Sequence, residues 1–83
     1  MAKANSFFKP DNHFLITVGN EIRSLRKSQQ LTIEQLSAEA NLHSKYLQMV
    51  ETGKRNISIG ALEQVLTKGL KVNLGEFFEK IGY

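Results

Sequence analysis

Apolar residues fall at Phe14, Val18, Ile22 and Leu25, in steps of four, four and three that place them on one face of a helix over about 12–29. Asp11 or Asn12 serves as its N-cap. Asn20, Arg23, Lys27 and Gln30 occupy its other face. A second, very short helix is predicted over about 32–40, capped by Thr32 and striped by Ile33, Leu36 and Ala40. Asn41 follows where a tight turn needs a left-handed residue, a conformation that Asn tolerates better than most, and Leu42 is expected to be buried as the chain turns. A third helix is predicted over about 43–52, with Leu47 and Val50 inward and Ser44, Lys45, Gln48 and Met49 outward, ended by Gly53.

The polar, basic run Lys54-Arg55-Asn56 reads as a loop, after which Ser58 caps a fourth helix with Leu62, Val65, Leu66 and Leu70 inward. Gly69 is expected to fray its end. A last helix over about 73–81 carries Leu74, Phe77, Phe78 and Ile81, a dense apolar face for so short a segment. Residues 1–11 have no period of either kind and include the single Pro, so they are expected to form an N-terminal arm on a domain spanning 12–83. With no alternating strand pattern and no internal repeat, the fold class is all-α with five helices.

Composition narrows the chemistry. A chain of 83 residues suits one compact domain, and 41% hydrophobic with 23% charged residues is an ordinary globular balance. The apolar stretches are too short to span a bilayer and the N-terminus has no signal-peptide core, so a soluble, cytoplasmic protein is expected, with no membrane partner. The absence of Cys excludes disulfides, thiolate metal sites and thiol nucleophiles. His13 and His43 come with no Cys, paired carboxylate or HxxxH spacing to make a metal site, and the glycines form neither a dinucleotide nor a Walker pattern. No enzyme, cofactor, metal or small-molecule ligand is therefore expected. The net charge of +3 permits an anionic partner. The excess lies in the first two thirds of the chain: over 20–56, Arg23, Arg26, Lys27, Lys45, Lys54 and Arg55 outnumber Glu21, Glu34, Glu39 and Glu51.

Two short helices joined by a few residues, with apolar positions at Leu36, Ala40, Leu42, Leu47 and Val50, have the spacing of a helix-turn-helix. Burying those positions across a tight turn forces a steep crossing and leaves the outer face of the second helix convex. Such a helix fits the major groove of B-DNA, which is about 12 Å wide. On that face Gln48 can pair bidentately with adenine, Lys45 can donate to guanine and Met49 can meet a thymine methyl, with Ser44 a further candidate if its hydroxyl does not cap the helix.

The segment from Ile22-Arg23-Ser24-Leu25-Arg26-Lys27 into Leu31-Thr32-Ile33-Glu34-Gln35-Leu36-Ser37, and the run from Leu42 through Asn56, resemble the Cro and phage-repressor (XRE) family of helix-turn-helix proteins. The combination of Tyr46, Glu51-x-Gly53-x-Arg55-Asn56 and Leu62-Glu63 is most similar to the controller proteins of restriction-modification systems. The resemblance covers about 18–80 and implies a lambda-repressor-like domain that binds a palindromic operator in double-stranded DNA as a homodimer and regulates its own or a neighbouring promoter. It also implies a brace between Arg26 and Glu51, and sugar-phosphate contacts from Thr32, Tyr46, Thr52, Lys54, Arg55 and Asn56. The dimer interface is expected on Leu74, Phe77, Phe78 and Ile81. A second reading keeps the fold but gives the outer face of the third helix to a protein partner, as in an antitoxin.

The chain departs from the family pattern in places. Ile33 stands where a Gln is common, Ser37 where Ala is usual, and Asn41 where Gly is common. Ser44 stands where many controller proteins have Arg, so their guanine preference does not carry over. His43 holds the family's cap position for the third helix, although propensity nominates Ser44.

Overall fold

A computed structural model describes residues 12–83, which form five helices and no strand. The arm expected over 1–11, and Asp11 as a cap, lie outside the described residues. Helix α1 spans Asn12–Ser28, α2 Ile33–Ala40, α3 Ser44–Glu51, α4 Ile59–Glu63 and α5 Leu74–Lys80. The predicted apolar stripes converge on one core of Val18, Ile22, Leu36, Ala40, Leu47, Val50, Leu62, Val65, Leu66, Leu70 and Phe77. Phe14, Leu25, Ile33 and Leu42 are only half-buried at its margin, so Leu42 turns inward less completely than expected.

Local chemistry sets the helix ends. Thr32 caps α2 through its hydroxyl oxygen, which accepts from the Gln35 N–H at 3.0 Å, while the Gln35 side-chain oxygen accepts from the Thr32 N–H at 2.8 Å. This reciprocal capping box satisfies two amides that a helix start would otherwise leave unpaired. Asn41 ends α2 in the left-handed region at φ 58°, ψ 48°. Gln30 closes α1 the same way at φ 60°, and the Leu31 N–H then reaches back to the Arg26 carbonyl at 3.0 Å. Ser58 and Asn73 cap α4 and α5 with side-chain oxygens 3.1 Å from the third amide of each helix.

The fourth helix differs from its expected form. After Glu63 it runs on as a π-helical segment, Gln64–Gly69, and the Leu70 N–H bonds the Val65 carbonyl five residues back at 2.8 Å. The wider turn brings Val65, Leu66, Gly69 and Leu70 inward together. Gly69 therefore does not fray the helix. It is buried against α2, where a methyl group would sit 2.5 Å from Leu36 Cδ1, so a larger residue would require the Leu36 side chain to shift.

Two amide side chains tie this layer together: Gln64 donates to the Ala40 carbonyl at 2.6 Å and Gln29 to the Leu70 carbonyl at 2.8 Å. At the other end of the domain, side chains tie the C-terminal segment to α1. Lys80 pairs with Glu21 at 3.6 Å, and Tyr83 meets Phe14 edge-on with ring centroids 5.1 Å apart.

Candidate nucleic-acid interface

Helix α3 is held by its inner face and by both flanks. Leu47 and Val50 are inside the core, and the Leu42 N–H bonds the Ser37 carbonyl at 2.9 Å across the turn. The expected brace is present and bidentate: Arg26 Nε lies 2.8 Å from one Glu51 carboxylate oxygen and Nη2 3.1 Å from the other. The third guanidinium nitrogen donates to the Leu31 carbonyl at 2.8 Å, so one side chain ties together α1, the α1–α2 loop and the end of α3. Both side chains are nearly solvent-free, 11% exposed for Arg26 and 4% for Glu51. Burial of these charges is sustained by this complete set of hydrogen bonds.

Backbone proximity adds a second constraint that sequence reading did not isolate. A methyl at Gly19 would collide with the Val50 carbonyl oxygen and fall 2.9 Å from that of Glu51. Glycine at this point lets α1 pass directly against the last turn of α3. Gly53, at φ 75°, then turns the chain under Ile16, where a Cβ would lie 2.8 Å from Ile16 Cγ1.

On the outer face, Lys45 and Gln48 are exposed and Ser44 is half-exposed. All three line an open groove of about 420 Å³ with Thr32, Ile33 and Glu34, between α3 and the start of α2. His43 occupies the cap position and makes no side-chain cap bond, which makes Ser44 the first helical residue and leaves its hydroxyl unused for capping. Met49 is half-buried and lines neither this groove nor its neighbour on the α1 side. That second, smaller groove includes Arg23, Ile33, Gln48 and Thr52, so Gln48 and Ile33 form the ridge between the two.

The expected backbone-contact residues separate into two groups. Lys54, Arg55 and Asn56 are exposed beyond the end of α3, and Thr32 is exposed at the start of α2. The Thr32 oxygen accepts a capping bond, yet its hydroxyl proton is free to donate. Thr52 turns its hydroxyl back on the Gln48 and Met49 carbonyls at 3.1 Å each. Tyr46 is half-buried, its hydroxyl oxygen accepts from the Ser58 N–H at 3.3 Å, and the Arg55 guanidinium lies 5.6 Å from its ring centroid. It links α3 to the loop that presents the cations.

The residues assigned to a dimer interface do not share one environment. Phe77 is 3% exposed and belongs to the core of its own chain, because α5 turns it inward. Leu74, Phe78 and Ile81 are half-buried around it and keep part of their surface outward.

Comparison with known proteins agrees with this architecture. A family model described as helix-turn-helix matches residues 22–77, from Ile22, the third residue of the α1 stripe, to the buried Phe77. The chain belongs to the helix-turn-helix family. Within it, the control protein C.MunI of Mycoplasma sp is 37% identical over 71 residues, covering 84% of this chain and 95% of its own length. The solved restriction-modification controller protein C.Esp1396I superposes with a TM-score of 0.75 at 34% identity, over 81% of this chain and 87% of its own. The controller protein C.AhdI from Aeromonas hydrophila matches equally well at 0.75 and 29% identity, over 80% and 98%. C.Esp1396I has also been solved as a tetramer in complex with its natural 35 base-pair operator. The resemblance to controller proteins read from the sequence is borne out, as is the all-helical fold.

Among the described residues there is no group of His, Cys, Asp or Glu placed to hold a metal ion, and no helix long and apolar enough to cross a membrane.

Proposed function

We propose that this helix-turn-helix protein binds a two-fold symmetric DNA operator as a homodimer and regulates transcription from its own or a neighbouring promoter, in the manner of a restriction-modification controller. The observation that carries this reading is the pairing of a rigidly braced α3 with an exposed face of Lys45 and Gln48, flanked by the cations Lys54 and Arg55. A recognition helix must not yield when it enters the groove, and the Arg26–Glu51 brace supplies that stiffness. Gln48 and Lys45 read base edges, Ser44 assists from the first turn, and Met49 offers only its outward part to a thymine methyl. Thr32, Thr52, Lys54, Arg55 and Asn56 fix register on the sugar-phosphate backbone, with Tyr46 buttressing their loop.

Two copies of α3 would enter successive major grooves about 34–36 Å apart on one face of the duplex. The outward surfaces of Leu74, Phe78 and Ile81 are the surfaces such a dimer covers. A regulator of this kind works in the cytoplasm.

Titration of duplex DNA at several salt concentrations tests the reading. Specific binding with an affinity that falls steeply with salt is expected, because each neutralised phosphate releases a counterion. Failure to bind any duplex from a randomised pool at low salt would overturn it and leave α3 to a protein partner.

A further inference from the structure

The smaller groove beside α3 contains one cation that the proposed interface has not used. Arg23 stands on the exposed side of α1, one helical turn beyond Gly19. Because Gly19 lets the α1 backbone lie against the Val50 and Glu51 carbonyls, the next turn of α1 is level with the outer face of α3. The groove there, of about 170 Å³, brings Arg23 together with the Gln48 side chain and Thr52.

The charges around it leave Arg23 available. The nearest carboxylate in that groove is Glu51, and both of its oxygens are taken by Arg26. Arg23 makes no ion pair or hydrogen bond with any described residue. By contrast Arg55 lies over the Tyr46 ring, and Lys71 and Lys80 each face a carboxylate. A guanidinium with no partner among the described residues, held beside a base-reading glutamine, has a planar array of donors that suits a phosphate oxygen pair.

We propose that Arg23 is a further sugar-phosphate contact for DNA binding: it grips a backbone phosphate from the α1 side, beside Gln48. This rests on the DNA-binding reading above. Lys54, Arg55 and Asn56 hold the duplex beyond the end of α3, and Thr32 holds it from the start of α2. Arg23 adds a contact from a third element, and it does so where the Ile33 side chain offers no hydrogen bond.

The test uses the full chain and the tightest duplex selected from a randomised pool, alongside an unselected duplex of the same length. Arg23→Gln is expected to lower the slope of log affinity against log salt by about one phosphate's worth. The advantage of the native protein over the variant should then shrink about three- to fourfold between 50 and 200 mM salt, and by similar factors on both duplexes. Arg23→Lys should keep the native slope, and Lys68→Gln, which removes an exposed charge on the π segment, should leave it unchanged. Thermal unfolding midpoints should match for all four proteins, since Arg23 is exposed and pairs with no described residue. An unchanged slope for Arg23→Gln, with native binding intact, overturns the role of Arg23 alone. A loss confined to the selected duplex also overturns it, since that would make Arg23 a base reader. If the native protein binds neither duplex at low salt, the underlying DNA-binding reading fails instead.

Discussion

The Arg26 guanidinium engages both carboxylate oxygens of Glu51, at 2.8 and 3.1 Å, and still donates its remaining nitrogen to the Leu31 carbonyl. One side chain thereby joins three segments around the base of α3. Removing either partner strands the other as a nearly buried, uncompensated charge. Glu51→Ala and Arg26→Ala are each expected to lower unfolding free energy by about 3–5 kcal/mol, measured by urea denaturation. Arg26→Lys should recover little of this, because an ammonium cannot span both oxygens and the carbonyl at once. If Arg26→Lys proves as stable as the native chain, the brace is a simple charge contact rather than a fixed fork.

Gly19 offers a contrasting case, in which local and tertiary preferences oppose each other. In an isolated helix Gly→Ala is favourable by about 1 kcal/mol. Here the added methyl meets two backbone carbonyls, which cannot move aside as a side chain could. Gly19→Ala is expected to be destabilising by about 1–3 kcal/mol. It should weaken DNA binding by more than the stability loss predicts, since it displaces α3 from α1. Stability equal to or above native would show that the helices can separate without cost.

Much of the scaffold is legible in the sequence because its determinants are local. The bounds of α2, the Thr32 cap and the left-handed Asn41 follow from neighbouring residue types, and the structure places each where that chemistry puts it. The Thr32-x-x-Gln35 box was equally available in the sequence. What was not legible depends on elements meeting in space. Nothing local distinguishes Gly19, which admits a neighbouring helix, from Gly60, where a Cβ would meet nothing. The π segment depends on a one-residue shift of hydrogen-bond partners that apolar spacing at Leu62, Val65, Leu66 and Leu70 cannot distinguish from an α-helix. Arg23 reads as an ordinary solvated charge until α1 is set beside α3. Phe77 and Phe78 are adjacent and identical in type, yet one faces the core and the other stands at its edge.

Gln30 holds a left-handed conformation at φ 60° in an exposed position. For a residue with a Cβ this costs about 1–2 kcal/mol, which glycine avoids while losing some of the gain to its freer unfolded chain. Gln30→Gly is therefore expected to raise stability by about 0.5–1 kcal/mol and to leave DNA affinity unchanged. Asn41→Val, at φ 58° but with a branched side chain, should do the reverse and lower the melting temperature. A destabilised Gln30→Gly variant would mean that the glutamine side chain contributes a contact worth more than the strain.

On the proposed reading the surface divides into residues that select sequence and residues that only hold the duplex, and two substitutions test that division. Gln48 is exposed on the ridge between the two grooves, where its amide can present a donor and an acceptor side by side to an adenine. Gln48→Ala should cost about 1–3 kcal/mol on the preferred duplex and far less on a duplex already altered at that base pair. Lys54 lies past the left-handed Gly53, exposed beyond the last turn of α3, and is proposed to contact phosphate rather than base edges. Lys54→Ala should weaken selected and unselected duplexes alike and reduce the salt slope by about one. Selection from a randomised pool with each variant measures the difference directly. Gln48→Ala should relax the preference at one position of each half-site, while Lys54→Ala should return the native motif at lower affinity. Should both variants return the native motif unchanged, Lys45 and Ser44 carry the specificity and Gln48 is a bystander on the ridge.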